Sequence, residues 1–125
     1  MIVVVFVCSI LGGCSARTHS MLKPDAAMQS HNEPVCFLRG VLPTKLIKEE
    51  LGAIRGGKRW YGSMTEVLNV MAVEARRIGA DAVIGLDARR DANAVAWARP
   101  VADGTAVRLN DPTQFNCAEF SGTLY

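Results

Sequence analysis

No Cys-x-x-Cys pair occurs in this chain, and its only two histidines, His19 and His31, lie far apart in a polar stretch near the N-terminus. Zinc sites and dithiol redox centres are ordinarily built on such pairs and clusters, so neither has its usual framework, and no metal ligands are expected. Aromatic residues make up 6% of the sequence, too few for a base-stacking surface. The net charge of +2 comes with no long block of one sign, which argues against a nucleic-acid partner. Catalytic constellations are missing as well. Glu49 and Glu50 are adjacent, so on a strand they point to opposite faces. Gly56-Gly57-Lys58-Arg59 brings glycine and positive charge together, but it lacks the spacing of a phosphate loop and has no Ser or Thr after the lysine. A solvated loop is the plain reading there. The sequence thus points to no catalytic residue, no enzyme class and no cofactor.

What is present is organised around residues 63–86. Ser63 with Glu66 three residues later forms a capping box, and Val67, Leu68, Met71, Ala75 and Ile78 then recur at helical spacing on one face. Arg76 and Arg77 fall in the last turn, where positive charge suits the helix dipole, and Gly79 is placed to end the helix. Residues 80–86 follow as a strand covered on both faces. Shorter strands are expected at 35–38, 50–55, 94–98 and 104–109, with a charged hairpin tip at 87–93 and, because Pro100 cannot donate a ladder hydrogen bond, a bulge or break near Arg99. The length permits one domain. The fold class is α+β: a small β-α-β-β core with one amphipathic helix packed on an antiparallel or mixed sheet.

The N-terminus carries a different signal. Residues 2–11 are an apolar run of signal-peptide length, although Met1 leads into Ile2 without the usual Lys or Arg. Leu11-Gly12-Gly13-Cys14 resembles the lipobox of bacterial lipoproteins. The resemblance implies removal of residues 1–13, acylation of Cys14 and, with Ser15 rather than Asp next, an outer-membrane location facing the periplasm. The membrane is then a partner through the lipid on Cys14. Residues 14–34, mixed and polar without period, read as a flexible tether, and residues 35–125 as the folded domain. In an oxidising compartment Cys36 and Cys117 are expected to form a structural disulfide, with a redox pair or an intermolecular bridge as rival readings.

Leu51-Gly52-Ala53-Ile54, the stretch from Glu74 to Val83 (EARRIGADAV) and Gly104-Thr105-Ala106-Val107 together resemble the YbjQ family and, more distantly, RcsF-like outer-membrane lipoproteins. YbjQ-like proteins are often labelled heavy-metal-binding, and the resemblance also implies ring-forming subunits. RcsF-like proteins are envelope-stress sensors held by disulfides whose cysteine spacing this chain does not reproduce. One binding patch stands out: Lys58, Arg59, Trp60 and Tyr61 combine charge with aromatic rings suited to a glycan or an anionic envelope polymer. The competing reading is that they cover a sheet edge or a subunit interface. Arg89 and Arg90 read as a solvated turn. The expectation is a non-catalytic envelope module for binding, signalling or stress sensing, with a homo-oligomer or an envelope protein as partner. A ring-forming structural lipoprotein and a metal-binding lipoprotein are the alternatives.

Overall fold

The computed structural model describes residues 16–26, 28–94 and 96–125; the expected leader at 1–13 and Cys14 lie outside the described residues. Helix α1 runs Met64–Ile78 and buries Val67, Leu68, Met71, Ala72, Ala75 and Ile78, which includes every position of the expected stripe. Ser63 caps it, its Oγ accepting from the Thr65 N–H at 3.1 Å. The Glu66 carboxylate turns instead to Lys58 Nζ, 2.7 Å away, so the capping box is used differently from its sequence pattern. At the other end Gly79 takes φ +87°, with Ala80 N–H donating to Ala75 O at 2.8 Å and Gly79 N–H to Arg76 O at 3.2 Å. That pair satisfies carbonyls the helix cannot reach itself. A side chain at Gly79 is doubly barred, since its Cβ would also lie 2.6 Å from Gln29 O.

Six strands make one mixed sheet: β1 (Arg17–Leu22), β2 (Cys36–Phe37), β3 (Ile47–Gly57), β4 (Ala82–Asp91), β5 (Arg99–Leu109) and β6 (Thr123–Leu124). Their order is β1-β3-β5-β4-β2-β6, with β2 parallel to β4 and the other pairs antiparallel. Side chains alternate across a strand, so neighbouring residues serve different cores. Phe37, Val83 and Ala106 join the helix in one cluster; Cys36, Ala82 and Val107 join Leu38, Leu42, Leu109 and Cys117 in a second. The chain after β5 covers this second cluster, with Phe115 and Phe120 stacked at 5.3 Å.

Four expectations need correcting. The tether reading of residues 14–34 fails at 17–22, where β1 pairs with β3 from Arg17 opposite Gly57 to Leu22 opposite Gly52. A few residues later, His31 N–H donates to Arg76 O at 3.1 Å and supports the helix end. The hairpin tip at 87–93 is strand as far as Asp91, because Arg89 on the open face bonds Asp87 and Asp103 at 3.0 Å each. The expected strand at 94–98 is loop among its described residues. Pro100 breaks nothing. Its missing N–H would have served Lys58 O, and the Arg99 guanidinium donates there instead at 3.3 Å.

Cys36 and Cys117 form a disulfide that ties β2 to the tail across 81 positions. Closing a loop of that length contributes roughly 4 to 5 kcal/mol in the chain-entropy model. The double variant Cys36→Ser/Cys117→Ser is therefore expected to lose about 4 kcal/mol in a denaturant titration. An unchanged midpoint would show that the tail needs no covalent tie.

Two carboxylates hold the β1 segment against α1. Glu74 accepts from Arg77 at 2.6 and 2.8 Å and from Ser20 Oγ at 2.7 Å, and these bonds, Arg77 foremost, hold its pKa below the ordinary value. Glu66 is held low by Lys58 first and then by the Ala16 N–H. A carboxyl with a depressed folded-state pKa contributes stability that is fully present above its unfolded value and is lost as pH falls through the folded one. Acidification below the usual carboxylate range should thus loosen β1 ahead of β3 and β5. Amide exchange corrected for its intrinsic pH dependence checks this, and Glu74→Gln should flatten the response.

Candidate functional site

Strands β3 and β4 are each antiparallel to β5 between them, so both end at the same edge of the molecule. The loops that follow them, at 58–63 and 92–98, are therefore neighbours, and polar groups latch them together. Asn93 Nδ2 donates to Arg59 O at 2.8 Å, Arg90 Nη1 to Gly62 O at 2.6 Å, and Trp97 N–H to Tyr61 Oη at 3.4 Å. Between these bonds stand three rings. Trp60 and Tyr61 meet edge-on at 5.2 Å, and Tyr61 and Trp97 at 6.4 Å. Core aromatics are seldom left this open: Trp60 is 45% exposed, Tyr61 37% and Trp97 80%.

The structure divides the residues of the expected patch. Arg59, Trp60 and Tyr61 are exposed, and they crown the strand ends rather than covering a sheet edge. Lys58 is not part of the surface. It is 9% exposed, its Nζ is committed to Glu66, and it fills space that a side chain at Gly62 would take, 2.6 Å from that Cβ position. Trp97 takes its place. Its alanine-rich alternating neighbourhood mimics a strand, and only the continuation of β5 through Pro100 reveals it as loop. Arg90 belongs to the latch and Arg89 to the sheet face. Glu49 pairs with Arg108 at 2.9 Å and Glu50 with Lys23 at 3.4 Å.

At the opposite end of the strands an open groove of about 1190 Å³ lies beside the disulfide, lined in part by His31, Asp81 and Arg108. His31 has both ring nitrogens engaged. Nδ1 accepts from the Glu33 N–H at 3.1 Å, which assigns the proton to Nε2, and Nε2 donates to Ala80 O at 2.7 Å. Asp81 Oδ2 accepts from the Leu109 N–H at 2.9 Å. These groups join the helix end to the sheet. They leave no imidazole lone pair for an ion.

A soft heavy metal asks for thiolate or imidazole donors. Residues 41–110 contain neither Cys nor His. The sulfurs of Cys36 and Cys117 are bonded to each other, and among the described residues no group of three or more His, Cys, Asp or Glu could hold a metal ion. These residues do not fit a heavy-metal site. Elemental analysis of freshly purified protein is expected to find no stoichiometric metal; one ion per chain would overturn that reading.

A family model described as "Putative heavy-metal-binding", the YbjQ model, matches residues 41–110. No curated protein and no solved structure matches the chain. The matched span carries β3, α1, β4 and β5, while β1, β2, β6 and both disulfide cysteines fall outside it. On that match, over more than half of its length, the chain belongs to the YbjQ family.

Proposed function

We propose that this protein is a non-catalytic binding module of the bacterial envelope, held at the periplasmic face of the outer membrane by acyl chains on Cys14. Its contact surface is the tip formed by Trp60, Tyr61 and Trp97. The observation that carries the reading is the exposure of these three rings on loops fastened to each other by side-chain hydrogen bonds. Apolar area left in water on a pre-ordered scaffold favours association, because little conformational entropy remains to be lost on binding. The Cys36–Cys117 disulfide supports an oxidising compartment. Partnered carboxylates and a histidine with both nitrogens engaged offer no poised acid, base or nucleophile, which supports binding over catalysis.

The anchor is tested by growing cells on labelled palmitate. The wild-type chain should take up label and fractionate with outer membranes, whereas Cys14→Ser should do neither. An unlabelled, soluble wild-type protein removes the envelope reading.

A further inference from the structure

Arg17 is the first residue of β1 and pairs with Gly57, the last residue of β3. That places the start of the described chain at the aromatic end of the sheet, and the contact of Ala16 N–H with Glu66, near the start of α1, agrees. Cys14 precedes Arg17 by three positions. Three residues span at most about 10 Å. An acyl group on Cys14 therefore brings the bilayer surface to the same end as Trp60, Tyr61 and Trp97.

The face beside that tip is shaped for anions. The register sets Arg17, Gly57, Val101 and Arg89 in one row across the sheet, and His19, Arg55, Asp103 and Asp87 in the next. Gly57 keeps the centre low: a Cβ there would lie 3.1 Å from Val101 Cγ1 and 3.6 Å from Arg99 Nη1. The resulting hollow of about 660 Å³ is lined by Arg17, Arg55, Arg59, Arg89 and Arg99, against the carboxylates of Asp91 and Asp103. Arg89 is occupied by Asp87 and Asp103, but Arg55 reaches Asp103 only at 3.9 Å, and Arg99 Nε is buried without a hydrogen-bond partner. Arg55 and Arg59, exposed at the rim of this shallow floor, suit phosphate oxygens, which arginine binds through paired N–H donors. Tryptophan and tyrosine rings, apolar in body and polar at one edge, suit the headgroup zone of a bilayer.

We propose that the tip and the adjoining arginine-lined hollow form a membrane-docking surface, the rings entering the headgroup layer and the arginines holding the phosphate groups of anionic lipids. This rests on the acylation of Cys14 and names the partner of the tip. The lipid anchor and the docking face then act on one bilayer, and each raises the effective concentration of the other.

The test uses residues 15–125, which lack the apolar leader and the acylated cysteine and keep every described residue of the docking face. It is mixed with vesicles of phosphatidylcholine alone and of phosphatidylcholine with phosphatidic acid, and followed by co-sedimentation and tryptophan emission. Binding to the anionic vesicles is expected, with a blue shift and weakening in salt. Arg55→Gln and Arg59→Gln, both at exposed positions, should each reduce it about fivefold. Trp97→Ala should abolish most of the blue shift, and circular dichroism confirms that each variant is folded. Failure to bind either vesicle overturns the docking surface, as does binding that none of these variants alters. Capture of a soluble anionic glycan by the same residues, without vesicle binding, also overturns it. A palmitate-labelled wild type whose 15–125 form ignores vesicles would leave the anchor standing and remove the docking alone.

Discussion

Val67, Met71, Ala75 and Ile78 of α1 pack with Leu51, Ile54, Val83 and Ala106 of the sheet, and this contact decides how every strand divides its residues. A helix covers one face of a sheet. The residues pointing the other way need a second cover or a polar surface. Here both solutions are used, one at each end of the strands. Near the starts of β3 and β4 the chain folds back, bringing Phe115, Cys117 and Phe120 over Leu38, Leu109 and Val107. Toward the ends of the same strands the uncovered positions become Arg55, Arg89, Asp87 and Asp103, which pair with one another.

The parts of this arrangement visible in the sequence are those with local rules. The helix was legible because its period, its N-cap and its terminal glycine agree, and the structure uses each of them. Strand β1 was not legible. Its inward positions are Thr18, Ser20 and Leu22, and the two hydroxyls are satisfied by Arg55 O and by Glu74, residues remote in sequence. A strand stabilised that way shows no apolar alternation. The loop at 92–98 failed for the opposite reason, since its alternation suggested a strand that the long-range pairing of β5 overrides. The patch at 58–61 was half legible: aromatic rings beside charge marked a surface, but no local rule showed that Lys58 would fold under Gly62 onto Glu66.

The family description and the donor chemistry part company within the matched span. Residues 41–110 supply the three long strands and the helix but no sulfur or imidazole donor other than the methionine thioethers. Met71 faces the core and is fully buried. The features that set this chain's surface come largely from outside that span or from its loops. The disulfide closes the covered end, β1 extends the sheet, and Trp60, Tyr61 and Trp97 crown the other end. A shared core can carry different sites in this way, because loops change at little cost to packing.

The pairing of β1 matters most for how the domain is held. Had residues 14–34 been a free tether, their end-to-end distance would be about 25 Å in the flexible-chain regime, and the domain could turn in any direction. With β1 paired from Arg17 onward, that freedom shrinks to the few residues between Cys14 and the sheet. Given a lipid on Cys14, a short link at one end of a rigid sheet leaves few orientations, and those bring the rings and the arginine-lined hollow toward the bilayer. The hydrogen bonds of Glu66 and Glu74 fasten the β1 segment to α1; under the proposed anchor, the same bonds would set which end of the sheet faces the bilayer.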